Sequence, residues 1–227
     1  MRKPIKPARE NISPSDLTFG LSTCKRCLWI KYWYKVIMPG QFPLVGTFAS
    51  MQEEHFHRAD MPTIDSSLRA GTITKWGEWV KSKPLQINGS DTRWRILGKY
   101  DCVSTNDDGT IGLIDCKVSD SARDSGAFYS PQLEAYAYAL ENPAAGKAAS
   151  VASIGLLVWN PVSAIGIDKN SYGFSVTQKY VPVERDIPNF LATIEDFINV
   201  LEGELPESGP ECQTCTYLGA RNGLDSL

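Results

Sequence analysis

Neither sign of charge is in surplus: 23 Lys+Arg stand against 26 Asp+Glu, a formal net charge of −3. A protein that coats nucleic acid through bulk positive charge is thereby disfavoured, although a local basic track is enough for phosphate contacts. Long apolar runs are missing as well. The best of them, Ile154 to Trp159, is far short of the roughly 20 residues that span a bilayer. The N-terminus, MRKPIKPAREN, is basic but leads into no apolar stretch, so no secretory signal is expected and the cytoplasm is the expected location. Glycine-rich dinucleotide- or phosphate-binding loops are absent, which leaves a redox enzyme without the motif that would support it. There is no internal repeat and no low-complexity tract.

What remains is an ordinary globular composition, 42% hydrophobic and 22% charged over 227 residues. That suits one domain with a sizeable core and a small appended lobe. Residues 1–12 read as a flexible arm and 13–227 as a single domain. Ser13-Pro14 starts a helix, and further helices are expected over Leu28–Val36, Thr47–Arg58 and Gln132–Leu140, with Ser130 as cap and Pro131 at the first helical position. Met61-Pro62 reads as a loop. Strands are expected over Ile73–Val80, Trp94–Ser104, Thr110–Val118, Val151–Trp159 and Tyr172–Val183. Phe190, Leu191, Ile194, Phe197, Ile198 and Leu201 have the spacing of an amphipathic helix over Ile187–Leu201. The mixture predicts an α/β (α+β) fold, a central mixed sheet flanked by helices.

Three charged residues interrupt core-like strands: Asp101 in ILGKYDCV, then Asp115 and Lys117 in IGLIDCKV. Asp115 and Lys117 are two apart and share a strand face. A three-residue Asp107-Asp108-Gly109 loop pairs Asn106 with Thr110 and sets Asp101 opposite Asp115. A two-residue Asp108-Gly109 loop instead opposes Asp101 to Cys116 and separates the carboxylates. Two carboxylates and a lysine on one face suit a hard cation such as magnesium. The alternative is a salt-bridge ladder on a solvated face.

Gly98-x-x-Asp101, thirteen intervening residues, Asp115-Cys116-Lys117, then Gln132-x-x-x-Tyr136 together resemble the PD-(D/E)XK nuclease superfamily. The closer resemblance is to its RecB-like branch, which includes CRISPR-associated exonucleases with cysteine clusters. The resemblance implies a restriction-endonuclease-like core and a Mg2+- or Mn2+-dependent DNase. Asp101, Asp115 and the backbone carbonyl of Cys116 would be metal ligands and Lys117 the catalytic lysine. Gln132 and Tyr136 would flank the site. The branch places a histidine or glutamate on an early helix, but Ser50 stands at the expected offset after Gly46. His55 is the candidate for that ligand, with Glu54 as its substitute.

Cys24-Lys25-Arg26-Cys27 and Cys212-Gln213-Thr214-Cys215 are two C-x-x-C pairs at opposite ends of the chain. Together they supply four thiolates for one metal centre, which would close a loop of roughly 190 residues. The lobe so formed would comprise about 20–36 and 204–220. Zinc and an iron–sulfur cluster both accept four cysteines. The resemblance favours [4Fe–4S], while the two-plus-two division leaves Zn2+ open. Cys102 reads as a buried small hydrophobe.

Basic and aromatic residues interleave from Lys25 to Lys35. Lys25, Arg26, Lys31 and Lys35 are candidate phosphate contacts, as is Arg123 in the polar loop after Lys117, whereas Trp29 and Trp33 suit the core equally well. The expected partner is DNA, single-stranded or at its ends. The alternative is a catalytically weak DNA-binding or adaptor module working with a helicase or integrase.

Overall fold

The computed structural model describes residues 3–37, 44–119 and 126–224. The first half of the chain forms β1 (Asn11–Ile12), α1 (Pro14–Thr23), α2 (Lys25–Tyr34), α3 (Val45–His55), α4 (Met61–Ile64), β2 (Gly71–Trp76), β3 (Trp79–Lys81), β4 (Gln86–Ile87), β5 (Ser90–Asp91) and β6 (Arg95–Lys99). There follow β7 (Cys102–Asn106), β8 (Ile111–Val118), α5 (Gly126–Glu141), β9 (Val151–Gly166), β10 (Tyr172–Val183), α6 (Ile187–Glu202) and α7 (Gln213–Leu224). No helix among the described residues is long and apolar enough to cross a membrane.

The central sheet has the order β10-β9-β8-β7-β2. It is mixed: β8 and β9 run parallel, joined through α5, and the other neighbours are antiparallel. Alternation along each strand sends side chains to two cores. Val103, Leu113, Leu156 and Val181 pack with Leu133 and Ala137 of α5 and with Phe190, Ile194 and Phe197 of α6. Cys102, Ile114, Cys116 and Leu157 pack with Phe56, Met61 and Ile64 on the other side. Helices on both faces of a mixed sheet are the architecture the sequence implied.

Two expected strands are each broken in the middle. Ile73–Val80 becomes β2 and β3, and Trp94–Ser104 becomes β6 and β7, because the antiparallel pair changes sheets at one bend. Trp76 pairs with Cys102 on one side of it and Trp79 with Lys99 on the other. Gly77 turns at φ 59°, a region open to glycine. Across the bend the Gly77 amide donates to the Asp101 carbonyl at 2.8 Å and the Tyr100 amide to the Glu78 carbonyl at 3.1 Å. Beyond the bend, β6 lies between β1 and β3 in a small second sheet.

Other expectations shift for reasons of packing. Residues 1–12, expected as a flexible arm, lie along the body from residue 3: Ile12 is fully buried beside Ile96 of β6, and the Arg9 amide donates to the Tyr32 carbonyl. Helix α5 already includes Gly126, so Pro131 sits inside it rather than at its start. The extra turn is held by Phe128 and Tyr129, whose rings pack edge-on against Phe19 of α1, offsetting the hydrogen bond proline cannot make. Met61-Pro62, expected in a loop, opens the single turn of α4. In α6 the apolar stripe is buried except Leu191, which is 43% exposed.

Candidate active site and cysteine centre

The β7–β8 turn settles the register. The Asn106 amide donates to the Thr110 carbonyl, the Gly109 amide returns to the Asn106 carbonyl, and Gly109 has φ 80°. This is the three-residue loop. Cys102 faces Ile114, so the next position along sets Asp101 against Asp115. In an unbroken ladder the Cys116 amide would bond Tyr100, but the chain has already bent away there. The Asp101 carboxylate takes that amide instead, Oδ2 accepting it at 2.7 Å.

Asp115 is buried and is held from two sides. Gln132 of α5 donates from Nε2 to its Oδ1 at 3.0 Å, and the Lys117 ammonium is in ion-pair contact with its Oδ2. The lysine charge compensates that oxygen in the metal-free protein. Two neighbouring carboxylates beside one lysine are an oxygen-rich donor set that would suit a hard cation. Burial, and then the charge of Asp115, pushes the Asp101 carboxyl up to about 8, against the pull of Lys117 and the Cys116 amide. Burial would lower the Lys117 pKa, but Asp115 and Asp101 together hold it above the ordinary lysine value. Its Nζ also lies 4.9 Å from the centre of the Tyr129 ring.

Gln132 and Tyr136 occupy one face of α5, as the spacing predicts. The Tyr136 hydroxyl donates to the Lys99 carbonyl at 2.8 Å. Its pKa is raised by burial and then by Asp115 and Asp101, which places the phenol within reach of both charges. Gly98 makes that position possible: a Cβ there would lie 2.7 Å from both Tyr136 Cε1 and Pro14 Cδ.

His55 is not the helix residue turned toward the carboxylates. It is exposed at the end of α3, edge-on to Phe56 and Trp159 at 4.8 and 5.8 Å. Glu54 is exposed too. The residue in electrostatic range is Glu53, a position sequence reasoning missed. Its carboxyl is raised by burial, lowered by Lys99 and raised again by Asp115, and it acts in turn on Asp101. No sequence signal singled it out: Gln52 is fully buried and anchored to the Leu157 carbonyl at 2.8 Å, and the half-buried Glu53 follows it. Cys116 puts its thiol on the opposite face with Cys102; the hydrogen bond with Cys102, and then burial, pushes that thiol up.

The four terminal cysteines converge. All four sulfurs lie within 4.8 Å of one another, with Cys24–Cys215 at 3.8 Å, Cys27–Cys212 at 3.7 Å and Cys27–Cys215 at 3.5 Å. Burial raises the Cys24 thiol, but the amides of Cys27 and Gly209 outweigh it and bring it down to about 7, so a thiolate is accessible there. Burial pushes Cys27 up. Zn–S bonds of about 2.3 Å give a tetrahedron with edges of about 3.8 Å, close to the three distances of 3.5 to 3.8 Å among these sulfurs.

Of the candidate phosphate contacts, three are engaged within the chain. Lys25 pairs with Asp196, Arg26 donates to the Pro206 carbonyl, and Lys31 is bound to the buried Asp16 at 2.5 Å. Lys35 lines an open cleft. Arg123 lies outside the described residues. Trp29 and Trp33 are core residues whose indoles donate to the carbonyls of Gly203 and Leu201, just past α6 and in its last turn.

A model of the PD-(D/E)XK nuclease superfamily matches residues 33–220, a span holding every residue of the carboxylate site. No curated protein matches the chain. Among solved structures, the crystal structure of SSO0001 is 16% identical, covering 83% of this chain and 75% of that one with a TM-score of 0.51. At that identity the likeness concerns the fold alone.

Proposed function

The chain belongs to the PD-(D/E)XK nuclease superfamily, and from that premise we propose that it is a Mg2+- or Mn2+-dependent deoxyribonuclease of the RecB-like branch. It acts on single-stranded DNA or DNA ends in the cytoplasm. The observation that carries this reading is Asp101, one residue past the last ladder pair Cys102–Ile114, held by the Cys116 amide beside Asp115 and its partner Lys117. Asp101, Asp115 and the Cys116 carbonyl hold the divalent ion, and Glu53 takes the helix position first assigned to His55. When bound, the ion supplies charge to the phosphate and acidifies a water. Lys117 positions the attacking water and offsets the charge that develops on the phosphate. Gln132 fixes the orientation of Asp115, and Tyr136 anchors the backbone of Lys99, two residues before Asp101. With a carboxylate already on α3, the main reason for a catalytically weak adaptor falls away.

The cysteines hold a structural metal centre that joins the two ends of the chain. The sulfur spacing suits a single Zn2+, whereas the family resemblance suits [4Fe–4S]. Protein purified without air separates the two: visible thiolate-to-iron absorption identifies the cluster, and its absence with stoichiometric zinc identifies the ion. The function is tested on the same preparation with Mn2+ and labelled DNA. Lys117→Ala is expected to cleave about 100-fold more slowly or worse, and equal cleavage by both proteins would overturn the assignment.

A further inference from the structure

We propose that the cleft between the N-terminal segment and the β3–β6 edge carries a single nucleic-acid strand to the metal site; this rests on the nuclease reading above. The cleft has a volume of about 560 Å³, and its walls include Lys6, Arg9, Lys35, Trp79, Lys99 and Tyr136. Four of those six side chains are cationic, in a chain whose net charge is −3. Glu10 also lines it and pairs with Lys6 at 3.2 Å. Among the described residues no ion pair engages Arg9, Lys35 or Lys99. This contrasts with Lys31, whose charge is held by the buried Asp16.

Trp79 is the second observation. It is 69% exposed and pairs across the small sheet with Lys99. A large indole left in water on a wall of cations is the arrangement that binds single strands: the π-face takes a base and the cations take the flanking phosphates. A duplex keeps its bases stacked on one another and has none to offer the indole, so the occupant is a single strand.

The cleft adjoins the carboxylate site through two of its lining residues, Tyr136 and Lys99. The two are joined by the hydroxyl-to-carbonyl bond of 2.8 Å. Lys99 Nζ and Glu53 Oε2 lie 3.1 and 3.3 Å from where a Cβ on Gly77 would be, so this cation of the cleft stands beside the helix carboxylate. A strand lying on Trp79 therefore runs toward Asp101, two residues beyond Lys99.

The test is fluorescence anisotropy of a labelled oligothymidylate and of a duplex of equal length, on the full chain without Mg2+ or Mn2+. Cleavage with Mn2+ is measured in parallel. Trp79→Ala is expected to bind the single strand about tenfold more weakly and the duplex unchanged. Combining Arg9→Gln with Lys35→Asn is expected to reduce the steepness of log K against log salt by about 1.4, near 0.7 for each phosphate that the variant no longer neutralises. Circular dichroism verifies that each variant is folded. Wild-type affinity and salt slope in both variants, or no single-strand binding by the wild type, overturns the cleft; if the wild type still cleaves, the nuclease reading survives. Weakened binding by the variants with no cleavage by the wild type leaves the cleft standing and removes the nuclease reading.

Discussion

Replacing Asp101 with asparagine should make the metal-free protein more stable while removing its response to metal. Opposed residues in an antiparallel pair have Cβ atoms about 5 Å apart. Two like charges at that separation repel by about 3 kcal/mol at an effective dielectric near 20. Lys117 offsets part of this, whereas the burial of Asp101 adds to it. Asparagine keeps an oxygen to accept the Cys116 amide, so the bond of 2.7 Å is retained while the charge goes. A net gain of about 3–5 kcal/mol, the upper figure following from a carboxyl raised from about 4 to about 8 at about 1.4 kcal/mol per pH unit, corresponds to roughly 6–20 °C in thermal midpoint for a chain of this size. The gain depends on pH, because the Asp101 carboxyl is raised to about 8 in the folded protein. A raised group stabilises fully below its unfolded value of about 4 and loses that contribution as pH rises through the folded value. Wild-type stability therefore falls relative to Asp101→Asn between pH of about 4 and about 8, and the difference levels off above that. Thermal melts without added Mg2+ or Mn2+, repeated with either ion in excess, measure both effects. Ion at about 100 times its Kd should stabilise the wild type by about 2.7 kcal/mol and the variant far less. A variant no more stable than wild type at pH about 9, or an equal metal response in both, refutes the reasoning.

Gly98→Ala should cost about 1–3 kcal/mol by overpacking and reduce cleavage more than stability, since the new Cβ meets Tyr136 and Pro14 at 2.7 Å; melts and kcat together check it. Arg185→Leu should cost about 3–5 kcal/mol, because it strips a forked pair from Glu134, which is 1% exposed; a cost below about 1 kcal/mol by denaturant titration, the range of exposed pairs, would show the pair to be dispensable. Glu53→Gln should weaken Mn2+ binding measured by calorimetry, whereas His55→Gln should leave it unchanged; the reverse result would return the helix ligand to His55. Cys212→Ser should lower metal content and expose the C-terminal helix to protease, and an unchanged metal content would dissociate the cysteines from any bound centre.

The hairpin was legible in the sequence because its information is local. A glycine at the third position of a short turn sets the register, and period-two alternation carries that register to Asp101 and Asp115. Bends imposed by packing were not legible. The break at Tyr100-Asp101 depends on β6 finding β1 and β3, contacts far away in the chain, and the sequence around it reads as one continuous strand. The helix carboxylate was missed for a related reason: without the depth of Gln52, the three adjacent residues Glu53, Glu54 and His55 are equivalent, and a rare histidine looks more informative than it is. Basic residues near the first cysteines are visible in sequence as charge, whereas Asp196 and Asp16, the carboxylates that meet Lys25 and Lys31, become neighbours only on folding.

The bend at Gly77 and Asp101 gives chemistry and substrate path a common pivot. One peptide turn both lifts a carboxylate out of the ladder and aims the short strands bearing Lys99 and Trp79. Altering the bend angle would swing the far arm of this lever, and with it the approach of the strand, while the near arm stays pinned by the β7–β8 ladder. Substitutions at positions 77, 78 and 100 are thus the ones by which such a molecule would change what it admits without rebuilding the place where it reacts.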